Sequence, residues 1–427
     1  MPPIQDHPLR FQLSNELHAR PFPTLTTASR AVFLALKHRH VAGVDAVQAD
    51  IDHLIMLLDR YGAAHPQPGA THYFGKLGKH RLKWERHTEF VTFTLLVDGL
   101  SDRAFDAADF ALFPEDWLAA APGLRITSCL LRIEPQQDAG IIREKLSDWF
   151  VRESLAASSV LDSSGVIAGD FHIDEAGHSR FALFIADGVG QGRIGRILQR
   201  LFEIETYKAN SMLGLAKSRE LSKRMGPLDF ELTQLMGQMQ TNGDDAVGQL
   251  DELLRISAEL EALQAKTSFR FGATGAYEAI VNQRIQALRE VPWEGRQTLA
   301  EFMMRRFDPA MRTVKATQAR LETMSERAVR ASQLLRTRVD VDRSAQNQKL
   351  LESMNKRADL QLRLQQTVEG LSVVAISYYA VSLASYLLYP LTGVTGTTKE
   401  LLSAGVTLPV VLIVWWMVRR IRGHSQE

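Results

Sequence analysis

Over the first 190 residues apolar and polar positions alternate in short runs. The segments RAVFLALKH (30–38), HYFGKLG (72–78), HRLKWERH (80–87), EFVTFTLLV (89–97), RITSCLLRI (125–133), GVIAGDFHI (165–173) and RFALFIAD (180–187) are rich in β-branched and aromatic residues. Turn residues bound them, which predicts seven strands. Between the first two, VDAVQADIDHLIMLLDRY has the three-four apolar spacing of an amphipathic helix. Strands with a few helices predict an α/β sandwich around a central sheet for residues 1–190.

After residue 190 the period becomes helical. Residues 192–241 read as a helix broken near Gly226-Pro227, and TNGDD (241–245) as a turn with a helix start. The next helix, 244–264, carries six acids and one arginine, and 270–307 adds one or two shorter helices. From Pro309 to Tyr389 there is no proline and one glycine, Gly370. This predicts one long helix with Asp308 as its N-cap and Pro309 in its first turn, reaching ~120 Å if continuous. Met311, Val314, Leu321, Met324, Ala328, Ala331 and Leu335 form a single stripe along it. The pattern fades in RTRVDVDRSAQNQK (336–349), which is polar nearly all round and needs neighbours or oligomer contacts. Residues 309–365 hold twelve Lys/Arg against six Asp/Glu. This basic stalk could pair with the acidic helix or surround a vestibule with it, although two solvated faces explain both better.

The end of the chain changes character. Residues 371–391 and 401–418 contain no charge, and a bilayer core of about 30 Å needs about 20 helical residues. Trp415 and Trp416 suit an interfacial belt and are followed by Arg419, Arg420 and Arg422. Lys349, Lys356, Arg357 and Arg363 precede the first run, so positive residues flank both outer ends. That asymmetry places the N- and C-termini in the cytoplasm, the loop 392–400 outside, and residues 419–427 as a basic cytoplasmic tail. In the first run Tyr378, Ser382, Ser385 and Tyr389 share a helical face, and Ala380 and Ala384 form a small-xxx-small pair. The hydroxyls serve either as packing glue between helices or as the wall of a pore.

Composition narrows the function. A formal net charge of +1 argues against nucleic acid as a partner. The one cysteine, Cys129, lies in an apolar run and reads as an inert buried thiol. The N-terminus has no apolar signal-peptide core, so the body is expected to remain cytoplasmic and the anchor to lie in the inner (plasma) membrane. GQGRIG (190–195) has the glycine spacing of a dinucleotide loop, but the chain beyond it stays helical, placing Glu203 and Glu205 in the wrong element. A glycine turn into a helix explains it better. The histidines show no metal-binding spacing; His38 and His40, like His80 and His87, read as solvated or hydrogen-bonded groups. LHARPF (17–22) reads as a tethered segment, with a ligand or partner site as the alternative. KWERHTEF (83–90) places Lys83, Glu85 and His87 on one strand face, a charge ladder. No catalytic arrangement can be assembled, no cofactor is expected, and metal binding stays undetermined.

NELHARPFP, KWERHTEF, GRILQRLFEIETY, ASQLLRTRVDV and RLQQTVEGLSVVAISYYAV together resemble a bacterial family of uncharacterised proteins described only as predicted membrane-anchored. That resemblance implies the anchor and no activity. The order of parts is similar to the CorA magnesium-channel superfamily, whose members are homopentamers with the first span lining the pore. It implies an α+β chain: an α/β domain (1–190), a helical region (191–308), a stalk (309–370) and a two-helix transmembrane hairpin (371–391 and 401–418). It further implies a homo-oligomer, pentameric by analogy, in contact with membrane lipid and passing cations along Tyr378, Ser382, Ser385 and Tyr389. The superfamily's Gly-Met-Asn tripeptide has no counterpart here. The outer loop offers Thr392 and Gly393 without Met-Asn, which removes magnesium selectivity from what the resemblance implies. A non-conducting membrane-anchored scaffold or sensor is the competing expectation.

Overall fold

A computed structural model of the chain describes residues 4–11, 13–14, 22–38, 44–240, 245–391 and 398–424. It divides into two compact units, Met1–Gly243 with Asp251–Ala331, and Asp244–Leu250 with Ser332–Glu427.

In the first unit nine strands form one sheet: β1 Ser29–His38, β2 His72–Leu77, β3 His80–Arg86, β4 Phe90–Asp98, β5 Gly123–Pro135, β6 Ala156–Val160, β7 Gly165–Ile173, β8 Ser179–Ile185 and β9 Val291–Pro292. Their order is β2-β3-β4-β1-β5-β8-β7-β6-β9, antiparallel except for the parallel pair β5/β8. The seven expected strands are all present. The two others, AASSV and Val291–Pro292, lack alternating large apolar side chains and are recruited by pairing along the edge.

Helices α1 Val44–Arg60, α2 Glu115–Ala119 and α3 Ala139–Trp149 are joined by α4 Gln191–Gln240, α5 Ala246–Leu288 and α6 Leu299–Arg306. Leu54, Leu57 and Leu58 of α1 and Trp117 of α2 pack against Val32, Leu34, Trp84 and Phe93 on one side of the sheet. Ile142 and Leu146 of α3 pack with Val166, Ala168, Ala182 and Phe184. On the opposite side Phe33 stacks on Phe202 of α4 with ring centroids 4.5 Å apart. Cover on both faces explains why eight of the nine β4 residues are buried rather than every second one.

The expected break at Gly226-Pro227 does not occur: α4 continues through Pro227. A proline inside a helix costs ~3 kcal/mol, but Leu221, Met225, Leu228 and Leu232 are all buried on one stripe across it, and that packing holds the helix. Likewise α5 runs unbroken from Ala246 to Leu288 through Gly272 and Gly275, where shorter helices were expected. The TNGDD turn lies outside the described residues apart from Asp245. In GQGRIG, a Cβ on Gly195 would overlap the Pro23 carbonyl oxygen, and Leu25 N donates to Gln191 O at 3.3 Å. That glycine serves a backbone crossing.

The long helix α7 spans Asp308–Leu388. Met311, Val314, Leu321, Met324, Ala328, Ala331 and Leu335 are each at most 3% exposed, as their spacing requires. Its basic residues pair with α4 and α5: Arg320 with Asp229 at 2.7 Å, Arg327 with Asp229 at 3.2 Å, and Lys315 with Glu278 at 2.7 Å. Glu259 and Glu252 of the acidic segment pair instead with Arg224 and Arg255.

In the second unit α7 ends in an apolar stretch, a short 3-10 turn spans Tyr389–Leu391, and α8 covers Lys399–His424. Two stretches, one within the helix ending at Leu388 and one over Glu400–Arg420, are long and apolar enough to cross a membrane. Only 6% of each apolar window is buried, whereas a core helix of a soluble body would be covered. Ser403 Oγ donates to Ser385 Oγ at 3.3 Å. Val414 and Ser377 are buried, so the two helices pack on small and β-branched residues.

Candidate functional site

Strand alternation turns Leu82 and Trp84 into the core and Lys83 and Glu85 to the opposite face, with His87 just beyond the strand. There they meet α4, whose three-four spacing presents Gln199, Phe202, Glu203, Thr206 and Tyr207. Together with Thr92, Thr94 and Phe90 these side chains line a narrow cleft with about 30 Å³ of free space. Lys83 Nζ donates to Gln199 Oε1 at 2.7 Å and lies 3.1 Å from Glu85 Oε2. Gln199 Nε2 donates to Glu203 Oε1 at 2.9 Å, and Glu203 pairs with Arg284. His87 stacks on Phe90 at 4.4 Å, and its Nδ1 lies 3.4 Å from the Tyr207 hydroxyl.

A second, more open cleft of about 490 Å³ adjoins the first and shares His87, Phe90 and Tyr207 with it. Its wall adds His38, Asp50, Arg86, Thr88, Tyr277 and Ile280. His38 Nε2 and Asp50 Oδ2 are 2.7 Å apart. Behind this wall Glu89 pairs with Lys37 and with Arg270 at 3.0 Å, and Lys37 Nζ also donates to Asn210 Oδ1 at 3.3 Å. Burial alone would raise the Glu89 carboxyl, but hydrogen bonds from Lys37 and Arg270 outweigh it and hold it below its ordinary range. Burial pulls Lys37 down, with Glu89 opposing. Burial, aided by the Glu89 charge, pushes Tyr277 up to about 12, so its hydroxyl keeps its proton and remains a donor at neutral pH. Among the described residues, His38 Nδ1, Asp50 Oδ1 and Glu89 Oε1 are buried without a hydrogen-bond partner. Unsatisfied buried polar atoms are rare in native proteins, and three lie together here.

The charge ladder of KWERHTEF is thus one wall of a cleft, with GRILQRLFEIETY as the facing wall. Sequence reasoning treated the two segments separately. What would have joined them is the polar register of α4: Gln199 and Glu203 stand four residues apart, and Thr206 and Tyr207 follow three and four residues later on a helix that must cover a sheet. Glu205 occupies a different buried site, 3.3 Å from Thr127 and Ser179 and 2.6 Å from Lys208. Burial places the Cys129 thiol well above its ordinary range. LHARPF, apart from Phe22, and His40 lie outside the described residues. Among the described residues no group of three or more His, Cys, Asp or Glu side chains is placed to hold a metal ion.

In the second unit Tyr378 and Tyr389 are exposed and Ser382 and Ser385 half-buried, with Ser385 bonded to Ser403. Ser377, which the sequence did not single out, is the buried hydroxyl of that helix. Trp415 and Trp416 are exposed, with the guanidinium groups of Arg419 and Arg420 5.1 and 5.2 Å from their ring centroids. Arg422 lies within α8, its side chain outside the description. Thr392 and Gly393 lie outside the described residues.

A mixed-sheet body with a paired polar cleft and a C-terminal couple of apolar helices is the class these features define. The chain belongs to a family described as protein of unknown function (DUF3422), matched over residues 5–425. No curated protein and no solved structure matches it.

Proposed function

We propose that the chain is a membrane-anchored sensor whose two adjoining clefts beside β3 and α4 bind a small polar ligand. The observation that carries this reading is that His38 Nδ1 and Asp50 Oδ1, buried and unpartnered among the described residues, belong to the wall of clefts also lined by Lys83, Glu85, His87 and Tyr207. Such a wall offers both donors and acceptors beside Phe90 and Phe202, which suits a small zwitterionic or hydroxylated molecule with an apolar part. Binding rather than catalysis is supported by the pairing of Lys83, Glu85 and Glu203 with one another or with neighbours. The anchor reading places the N- and C-termini in the cytoplasm and the hairpin in the inner membrane among lipid.

Thermal-shift screening of the full chain in mild detergent, against amino acids and polar metabolites, tests the reading. A compound that raises Tm for the wild type and not for Lys83→Met supports it. No shift, or a shift that persists in Lys83→Met, counts against it.

A channel is the second reading, favoured by the exposed Tyr378 and Tyr389 with Ser382 beside the paired hairpin face. It requires a CorA-like homo-oligomer, a pentamer by analogy, that gathers this face around an axis and passes cations. Light scattering in detergent that gives about five subunits, with cation flux into liposomes, supports it; a monomer or dimer counts against it.

A further inference from the structure

On the first unit, a third cleft of about 540 Å³ is lined by Leu161, Arg193, Arg196, Arg200, Arg289 and the end of α5 at Gln283, Gln286 and Ala287. Four arginines face it and no acid does. Arg193, Arg196 and Arg200 follow one another by three and four residues, so they share one face of α4. Arg289 joins them from the residue after α5, held at a positive φ of 48°.

Ordinary structural roles account for only part of this cluster. Arg200 donates to the Ala287 carbonyl at 2.8 Å, capping the end of α5. Arg193 donates to Ser164 Oγ at 2.9 Å, a neutral partner that leaves its charge uncompensated. Arg289 pairs with Asp162 at 2.7 Å, with both side chains more than half exposed, where such a pair contributes little. Arg196 has no ion pair or hydrogen bond among the described residues. Burial first, then repulsion from Arg196, Arg284 and Arg289, lowers Arg200, with the Glu203 charge opposing in part. The first turn of α4 carries no acid, so these cations also oppose the positive end of the helix. Like charges gathered at a concave surface cost stability unless something negative completes the site.

We infer that the cleft between the start of α4 and the end of α5 binds a phosphate-bearing anion through Arg193, Arg196, Arg200 and Arg289. Planar guanidinium groups match phosphate oxygens in pairs. Three of them spread over two helical turns, about 10 Å, suit a ligand with more than one anionic group. A soluble polyphosphate and the headgroup of an anionic phospholipid share that chemistry.

Two measurements on the full chain in mild detergent test the inference. The first is titration calorimetry with inorganic pyrophosphate at low and high salt. The second is co-flotation with phosphatidylglycerol vesicles against phosphatidylcholine vesicles. Saturable, salt-sensitive pyrophosphate binding that Arg196→Ala weakens tenfold or more identifies a soluble source. Flotation that requires the anionic lipid and is lost in Arg196→Ala identifies the headgroup. Because Arg196 has no partner to lose among the described residues, Arg196→Ala is expected to melt no lower than the wild type without ligand and lower than it with ligand. Absence of binding in both measurements, or binding unchanged in a folded Arg196→Ala protein, overturns the inference.

Discussion

The two ends of α7 are both rich in leucine and methionine, yet they treat these residues in opposite ways. Between Met311 and Leu335 the stripe of Met311, Val314, Leu321, Met324, Ala328, Ala331 and Leu335 is at most 3% exposed, while Val329 and Leu334, off the stripe, are 46% and 68% exposed. Further along, Leu350, Leu351, Met354, Leu360, Leu362 and Leu364 are 57–69% exposed, and the apolar stretch that follows is almost wholly uncovered. Hydrophobicity alone therefore does not say what covers a helix; periodicity does. A single stripe means a partner within the chain, while apolar residues around the whole circumference mean a non-aqueous surrounding or other copies.

Truncations should follow that division. In the sheet, Phe93→Ala should cost about 3–5 kcal/mol of unfolding free energy, since Phe93 is wholly buried. Leu321→Ala, in the covered stripe, should cost about 2–5 kcal/mol, read from the urea midpoint of the body transition. Equal tolerance at Leu321 and Leu362 would break the comparison. Glu89→Gln should cost about 2 kcal/mol, because Lys37 and Arg270 lose their carboxylate in a mostly buried place. The Glu89 carboxyl sits below its ordinary value of 4.5. Its contribution is therefore complete above about pH 4.5 and lost as pH falls through the lower folded value. The gap between wild type and Glu89→Gln should close in that acid window, and a gap constant down to strong acid would contradict the pairing. In the hairpin, Ser403→Ala should cost only about 0.6 kcal/mol, the usual size of a hydrogen bond between apolar helices. Leu362→Ala should change unfolding by less than about 0.5 kcal/mol in detergent; a larger loss would reveal a covering partner.

Most of the architecture was legible because it rests on period. Seven strands, the helix at Val44–Arg60, the stripe of α7 and the two apolar runs each repeat a simple spacing. The failures lie where tertiary packing overrules local chemistry. Pro227 predicts a break, but the buried stripe from Leu221 to Leu232 bridges it. AASSV carries no strand signal and pairs only because β7 is there. The candidate cleft was half legible: alternation placed Lys83, Glu85 and His87 together, but nothing in one sequence says that Gln199 and Glu203, more than a hundred residues on, face them. The unpartnered Arg196 and the Arg200 cap were equally invisible, since a run of arginines on a helix reads as a solvated face until the neighbouring helix end is in place.

The central claim is that the chain divides into a self-covered body and a pair of helices long and apolar enough to cross a membrane. The most direct test is to wash membranes from cells producing the full chain with alkaline carbonate and then with mild detergent. The account predicts that the chain stays in the pellet through carbonate and is released only by detergent. Release by carbonate, or recovery of the chain in the soluble fraction from the start, would contradict it.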